Sequence, residues 1–180
     1  MTYLDWAATA PPDPEALDEQ RRVALEFPGN PSSRHEAGAA ARTALEAARS
    51  RLARAIGLSA KGLHFVSGGS EADAIPLLAL LRKKAPGSLV VSAIEHAAVY
   101  EQARVLERLG WNLREVRPDQ DGRVRPENVA DAIAPDTALV ACMAVNNETG
   151  AVQPVREIAA ALKRASKGRV PRLHVDAVQA

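Results

Sequence analysis

The sequence runs Thr137-Ala138-Leu139-Val140-Ala141-Cys142-Met143-Ala144-Val145 and continues with Asn146-Asn147-Glu148-Thr149-Gly150. Nine apolar or small residues in a row predict a buried strand, and the two amides followed by a glycine predict a tight turn. The chain closes on a similar arrangement, His174-Val175-Asp176-Ala177-Val178-Gln179, in which a carboxylate and an amide follow a short strand. Open α/β sheets bind their ligands at such strand ends.

Strand-like and helix-like segments alternate along the rest of the chain. Apolar residues at helical spacing predict helices over 13–27, 35–56, 70–84, 95–109, 126–133 and 154–166. Short apolar runs predict strands over 63–66, 88–93, 111–116, 137–145 and 173–177. This order implies crossover connections, so we expect an α/β fold with a mainly parallel sheet and helices on both faces.

Composition narrows the possible function classes. Hydrophobic residues make up 47% and charged residues 25% of the 180 residues, and the formal net charge is +1. This balance is typical of a globular protein and gives no reason to expect nucleic acid or a membrane as a partner. The sequence has no apolar stretch of membrane-spanning length and no basic-then-apolar leader, so we expect a cytoplasmic protein.

The single cysteine, Cys142, excludes an internal disulfide and a cysteine-rich metal site. Its place inside the apolar run predicts a small buried hydrophobic residue, because a nucleophilic thiol needs a partly exposed, electropositive setting. The four histidines have no metal-ligand spacing with a third ligand nearby, so we predict no metal site.

The segment Val66-Ser67-Gly68-Gly69-Ser70-Glu71-Ala72 joins a predicted strand to a predicted helix. Two glycines allow a tight turn, and the free N–H groups at the start of the helix can bind a phosphate. Simple helix capping by Ser70 and Glu71 is an equally plain interpretation. The spacing of the glycines is not that of a dinucleotide-binding loop.

Two further candidates lie at predicted strand ends. His96, preceded by Glu95, could transfer protons or stack on a ring, and it could equally cap the next helix. Asp176 needs a partner, because an unpaired buried carboxylate is costly. A protonated ring nitrogen would serve as that partner, and a structural salt bridge or a helix cap is the alternative.

Taken in order, six blocks resemble the cysteine desulfurases, which belong to the class V, aminotransferase-like group of pyridoxal-phosphate enzymes. The match covers essentially the whole chain. The blocks are Tyr3–Pro11, Gly29–His35 (GNPSSRH), Ser67–Asp73 (SGGSEAD), Glu95-His96, Val145–Pro154 (VNNETGAVQP) and His174–Gln179 (HVDAVQ).

The resemblance implies the fold and the cofactor. The fold would be part of the large domain of the pyridoxal-phosphate transferases, with residues 1–35 as an N-terminal arm and loop and residues 36–180 as the cofactor-binding portion. Gly69 and Ser70 would hold the phosphate of pyridoxal 5'-phosphate. His96 would stack on the pyridine ring and act as the catalytic residue that moves protons.

The remaining cofactor contacts that the resemblance implies lie in the last two blocks. Asp176 would pair with the ring nitrogen and keep it protonated. Gln179 would hydrogen-bond the phenolic oxygen of the ring, and Asn147 would contact the cofactor or the carboxylate of the substrate. Ser70 replaces the family's usual threonine and keeps the hydroxyl, whereas Ala74 replaces a usual asparagine.

The implied reaction takes L-cysteine to L-alanine and passes the sulfur, through an enzyme persulfide, toward iron–sulfur clusters or thio-modified RNA. The family's cofactor-bearing lysine, its sulfur-accepting cysteine and its substrate-binding arginine lie in segments that would follow Ala180. We therefore expect the chain to be inactive alone and to work as a homodimer or with a complementing C-terminal polypeptide, together with a sulfur-acceptor protein. The alternatives are a non-catalytic remnant or partner-binding module, or a related selenocysteine lyase or aminotransferase.

Overall fold

The computed structural model describes residues 2–180, and their backbone divides into two units between Phe65 and Val66. The first unit contains α1 (Pro14–Glu26), α2 (Glu36–Ala55) and a 3₁₀ turn (Ala60–Gly62). Asp13 starts α1 by accepting hydrogen bonds from two backbone N–H groups of its first turn. Gly57 follows α2 with a φ of 71°, a left-handed conformation that favours glycine.

The loop over 29–35 is fixed within the first unit. His35 accepts a hydrogen bond at Nδ1 from the Gly38 N–H (3.2 Å) and so caps α2. Arg42 donates from α2 to the Pro31 carbonyl oxygen (2.7 Å). A Cβ placed on Gly38 would lie 2.6 Å from the Ser33 carbonyl oxygen, so only glycine allows this close approach. Local hydrogen bonding therefore explains the glycine, proline and serine content of this loop.

The second unit, Val66–Ala180, is built on a parallel four-stranded sheet. Its helices are α3 (Gly69–Leu78), α4 (Ala97–Arg108), α5 (Pro126–Ala132) and α6 (Val155–Ala165). Its strands are β1 (Ser88–Ser92), β2 (Asn112–Val116), β3 (Thr137–Ala141) and β4 (Arg172–His174), in the spatial order β2-β1-β3-β4. The mainly parallel α/β fold predicted from the sequence is confirmed.

Helices cover both faces of this sheet, as alternate residues of its central strands show. Leu89 and Val91 of β1 pack in a core with residues of α3 and α4. Val90 between them packs in a second core with residues of α5 and α6. Both sets of side chains are excluded from solvent, which explains why the central strands are continuously apolar and do not alternate.

Several predicted boundaries differ from the structure. The predicted strand over 63–66 is wrong: these residues pair with no strand in the described chain, and Phe65 stays about half exposed. The predicted helix over 70–84 ends at Leu78 and continues as a 3₁₀ turn, Ala79–Arg82. Pro76 lies inside α3, where it donates no hydrogen bond to the preceding turn, and this weakens the helix just before it ends.

Strands β3 and β4 are shorter than predicted. Strand β3 ends at Ala141, and four residues later Val145 forms an isolated antiparallel bridge with Val152. Gly150, with a φ of 72°, closes the turn between them. Backbone hydrogen bonds still link this segment to the residues after β4, from the Cys142 N–H to His174 and from the Ala144 N–H to Asp176. The apolar run therefore predicts burial correctly, since Cys142 and Met143 are buried, but the strand itself ends earlier, at Ala141.

Candidate functional site

The candidate site lies in the second unit, at the carboxyl ends of the strands. The chain passes from β1 to β2 on one side and later from β3 to β4 on the other, so the order of the strands reverses between β1 and β3. In open α/β sheets such a reversal leaves a crevice outside the strand ends, where ligands bind. The loop after β1 and the loop after β3 flank this position.

These two loops are joined by a pair of side-chain hydrogen bonds. Glu95 Oε1, in the loop after β1, accepts from the Met143 N–H (2.6 Å) and from Ser92 Oγ (2.5 Å). In the opposite direction, Asn146 Nδ2 donates to the Ile94 carbonyl oxygen (3.1 Å). The two loops therefore form one connected rim.

The successive amides Asn146 and Asn147 have different surroundings. Asn146 is buried, and its Oδ1 accepts from the Glu148 N–H, the Thr149 N–H and Thr149 Oγ1. These bonds hold the turn, so Asn146 has a structural role. Asn147 is exposed, which leaves its amide accessible from the solvent side. Of the two, Asn147 is the one that can contact a ligand.

Asp176 is buried just after β4 and is held by its own loop. Its side chain is only 8% exposed, and Oδ1 accepts from the Val178 N–H (2.9 Å). The Asp176 carbonyl oxygen also accepts from the Ala144 N–H (2.8 Å), which fixes the loop to the residues after β3. No salt bridge to Asp176 occurs within residues 2–180, so the alternative of a structural ion pair is not observed.

The start of α3 presents unpaired backbone donors. The first backbone hydrogen bond of this helix runs from the Ala72 N–H to the Gly68 carbonyl oxygen. In the described chain the N–H groups of Gly69, Ser70 and Glu71 have no acceptor, as is usual for the first turn of a helix. Glu71, not Ser70, makes the local capping contacts: it accepts from the N–H and the hydroxyl of Ser67.

Helix α3 and the loop of Asp176 meet at Gly69. A Cβ placed on Gly69 would lie 2.8 Å from Cγ2 of Val178. The N–H of the same Val178 donates to Asp176, so one residue connects the start of α3 with the buried carboxylate. The free amides of α3 and Asp176 therefore belong to one site.

Replacing Gly69 with alanine is expected to weaken the binding of a phosphate-bearing ligand about 10-fold, because the new methyl group would displace Val178, whose N–H holds Asp176. Val178→Ala should leave affinity within about 3-fold of the parent, and the double variant should recover most of the loss. Fluorescence titration with pyridoxal 5'-phosphate measures all four proteins. Equal affinity of the parent and Gly69→Ala would show that the close approach is unimportant.

A buried pair joins α3 to the end of β4. Nε2 of His174 lies 3.0 Å from Oδ1 of Asp73, and Asp73 is only 4% exposed. Burial raises the pKa of Asp73, as does the negative charge of Asp176, while His174 and His96 act in the opposite direction. Asp73 therefore lies within electrostatic reach of Asp176, His174 and His96.

Glu95 is the third carboxylate of this environment. Burial raises the pKa of Glu95 to about 7, and the charges of Asp176 and Asp73 act in the same direction, against the hydrogen bonds from Ser92 and Met143. Oε2 of Glu95 is buried without a hydrogen-bond partner among residues 2–180. The strand ends therefore hold an excess of acidic groups, which suits a positively charged ligand atom.

His96 begins α4 and stays accessible. Its Nδ1 accepts from the Ala98 N–H (3.1 Å), so the histidine caps the helix, as one of the alternative interpretations predicted. The residue is exposed, and capping occupies one ring nitrogen only. The ring face and Nε2 therefore remain able to act on a ligand. Gln179, three residues beyond Asp176, is partly exposed in the same loop.

Two residues of the site were not assigned a role from the sequence. In the sequence, Glu95 stands out only as the neighbour of His96 and Asp73 only as part of a block, because carboxylates in a loop or on a helix are usually solvated. Their burial depends on which elements pack together, and no local pattern indicates it. Cys142 behaves as predicted: it is 1% exposed, and burial raises the pKa of its thiol to about 12.

Two features of residues 2–180 bear on the class of site. Histidine, cysteine, aspartate and glutamate side chains nowhere converge in threes in a way that could hold a metal ion. Within the same described part of the chain, every helix is too short or too polar to cross a membrane.

Comparison with known proteins gives consistent matches over the whole chain. The family model for aminotransferase class-V matches residues 2–180. A protein named putative cysteine desulfurase NifS, from Bacillus subtilis, is 36% identical over 181 residues, covering 99% of this chain and 45% of its own length. The mitochondrial cysteine desulfurase of Saccharomyces cerevisiae is 37% identical over 181 residues, covering 99% of this chain and 36% of its own length.

Solved structures agree with these sequence matches. A NifS-like protein superposes with a TM-score of 0.92 at 33% identity, covering 99% of this chain and 49% of its own. SspA, solved in complex with cysteine, superposes with a TM-score of 0.90 at 31% identity, covering 100% of this chain and 51% of its own. The chain thus spans between about a third and a half of the length of these relatives.

Proposed function

Since the chain belongs to the aminotransferase class-V family, we propose that it forms the pyridoxal 5'-phosphate-binding part of a cysteine desulfurase. Three of the relatives named above are named cysteine desulfurase or NifS-like protein, which supports this member of the family over a selenocysteine lyase or an aminotransferase. The structure of a relative with bound cysteine supports L-cysteine as the substrate.

The residues present fit the cofactor at both of its charged ends. The unpaired amides at the start of α3 suit an anionic phosphate, and the helix dipole adds to their attraction. The acidic group formed by Asp73, Glu95 and Asp176 suits a protonated ring nitrogen. The observation that carries the proposal is the position of Val178, which contacts Gly69 and donates to Asp176, so that both ends lie in one site.

Each residue then has a defined task. The N–H groups of Gly69 and Ser70 bind the phosphate, and the Ser70 hydroxyl adds a further donor. Asp176 would accept a hydrogen bond from the protonated ring nitrogen at Oδ2, because Oδ1 already accepts from the Val178 N–H. When bound, pyridoxal 5'-phosphate supplies an electron sink that stabilises negative charge developing on the substrate.

The accessible side chains complete the site. His96 would stack on the ring and transfer a proton. Because Nδ1 accepts from the Ala98 N–H in this structure, the neutral ring carries its hydrogen on Nε2, so proton transfer at Nε2 would require this capping bond to open. Gln179 hydrogen-bonds the phenolic oxygen of the ring. Asn147 orients the substrate carboxylate or the cofactor from the rim that Glu95 and Asn146 hold in place.

The reaction we propose for the complete protein converts L-cysteine to L-alanine and transfers the sulfur as a persulfide. A lysine, a cysteine and an arginine supplied outside residues 1–180 would complete this chemistry. A second copy of the chain or a complementing polypeptide, and a protein that accepts the sulfur, are the partners that we propose. The sulfur would serve iron–sulfur clusters or thio-modification in the cytoplasm.

The experiment that tests this function is native mass spectrometry of the protein purified from its own source in the presence of pyridoxal 5'-phosphate. We expect the cofactor to be retained, together with any complementing polypeptide, and borohydride to fix it to a lysine. Addition of L-cysteine should then yield alanine. A chain that retains no cofactor and forms no alanine would instead be a non-catalytic module of the same fold.

His96→Ala is expected to lower the rate of alanine formation about 100-fold, because proton transfer by a positioned side chain contributes a factor of that order. Cofactor affinity should fall much less, about 3-fold, since the phosphate and ring-nitrogen contacts remain. His64→Ala, which changes an exposed histidine in the first unit, is the matched control. Turnover and cofactor fluorescence measured on the same samples separate the two effects. Activity equal to the parent would leave helix capping as the only role of His96.

A further inference from the structure

Glu95 occupies the position where the order of the strands reverses. Its Oε1 accepts from Ser92 at the end of β1 and from the Met143 N–H after β3, so one oxygen atom joins two strand ends. The residue directly precedes His96, and the segment it holds after β3 leads into Asn147. A change at Glu95 would therefore move both of these candidate site residues.

The second oxygen of Glu95 has a different environment. Oε2 is buried and has no hydrogen-bond partner among residues 2–180. An ionised carboxylate in this place lacks solvation on that oxygen, and a protonated one has no acceptor for its hydrogen. Both forms are costly in the absence of a ligand, so a small change in local charge decides which of them is present.

The titratable groups that act on Glu95 or are affected by it come from three parts of the chain. Asp73 lies on α3, Asp176 lies after β4, and Cys142 lies directly after β3. Burial raises the pKa of the Cys142 thiol to about 12, so this group is neutral near pH 7 and contributes no charge. The negative charges of Asp176 and Asp73 both raise the pKa of Glu95, which burial already brings to about 7.

We propose that Glu95 is a positioning residue that holds His96 and Asn147 in place and carries an exchangeable proton, which it releases when a cation binds beside Asp176. The role of the cation rests on the proposed function, because the protonated ring nitrogen of the cofactor is that cation. The effect of the Asp176 charge on the pKa of Glu95 does not require the cofactor, so it can be tested in the chain without cofactor. Proton release would leave Glu95 negatively charged, and this charge would offset the positive charge of the ring nitrogen.

The test is a pH titration of the Glu95 side-chain carboxyl ¹³C resonance in the chain without cofactor. The resonance is assigned by its loss in Glu95→Gln, or by correlation to the Glu95 amide should that variant not fold. We expect a midpoint near pH 7 in the parent. In Asp176→Asn the midpoint should fall by roughly half a pH unit, because one nearby negative charge is removed and the bond from the Val178 N–H can remain.

Controls separate this coupling from general effects of charge. Glu101→Gln removes an exposed carboxylate from α4 and should leave the Glu95 midpoint unchanged. A parent midpoint near 4.5, or one near 7 that does not move in Asp176→Asn, would overturn the proposal. Addition of pyridoxal 5'-phosphate should lower the midpoint further, and binding that leaves it unchanged would also overturn it. Absence of binding would count against the proposed function, while the cofactor-free titrations would still decide the role of Glu95.

Discussion

Asp176→Asn is expected to lower the rate of alanine formation about 100- to 1,000-fold. The comparison uses protein purified from its own source together with any polypeptide that completes the active enzyme. The size follows from the loss of one charged partner in a water-excluded site, which costs about 3–4 kcal/mol of transition-state stabilisation. Asparagine can still accept from the Val178 N–H at Oδ1, so the loop should keep its structure. The measurement is the rate of alanine release from L-cysteine at saturating cofactor.

The control for this prediction is Asp131→Asn, which removes an exposed carboxylate from α5 and should leave the rate unchanged. Circular dichroism and the midpoint of thermal unfolding establish that both variants are folded. If Asp176→Asn retained the parent rate in a folded protein, Asp176 would be a loop-capping residue only. That result would leave the start of α3 as a phosphate site without its proposed counterpart at the ring nitrogen.

The sequence was sufficient to predict the family and the parallel sheet with helices on both faces. The family prediction is confirmed by the match over residues 2–180. These successes share a physical basis: continuously apolar strands such as β1 and β3 are strong indicators of a buried parallel sheet. Polar residues directly after such strands must lie at one edge, so His96, Asn147 and Asp176 could be placed without coordinates. Their roles toward the cofactor stay predictions.

The errors arose where structure depends on partners distant in sequence. Residues 63–66 have the composition of a strand, but strand formation requires a neighbour that supplies hydrogen bonds, and composition cannot identify one. Likewise, Asp73 and Glu95 are ordinary carboxylates in the sequence. Only the packing of α3 against β4 brings Asp73 to His174, and only the parallel register of β1 and β3 brings Glu95 to the Met143 N–H.

The free energy of unfolding is expected to fall as the pH rises from about 5 to 8, and Glu95 should account for much of the fall. The pKa of Glu95 is about 7 in the folded chain and 4.5 when the side chain is fully solvated, as in the unfolded chain. The folded state therefore binds this proton more tightly. The stabilisation is therefore complete below about pH 4.5 and is lost as the pH rises through 7. Each pH unit of pKa difference corresponds to about 1.4 kcal/mol, which sets an upper limit of about 3 kcal/mol.

Glu95→Gln cannot titrate at this position, so its free energy of unfolding should fall by about 2–3 kcal/mol less than that of the parent over the same range. Urea denaturation at pH 5 and at pH 8 measures this difference. Glu101→Gln, which removes an exposed carboxylate, should retain the pH dependence of the parent. Parallel curves for the parent and Glu95→Gln would mean that the carboxyl ionises at its ordinary pKa. Glu95 would then be ionised near pH 7 and stabilised in its buried position by neighbouring groups. It would carry no proton that cofactor binding could release.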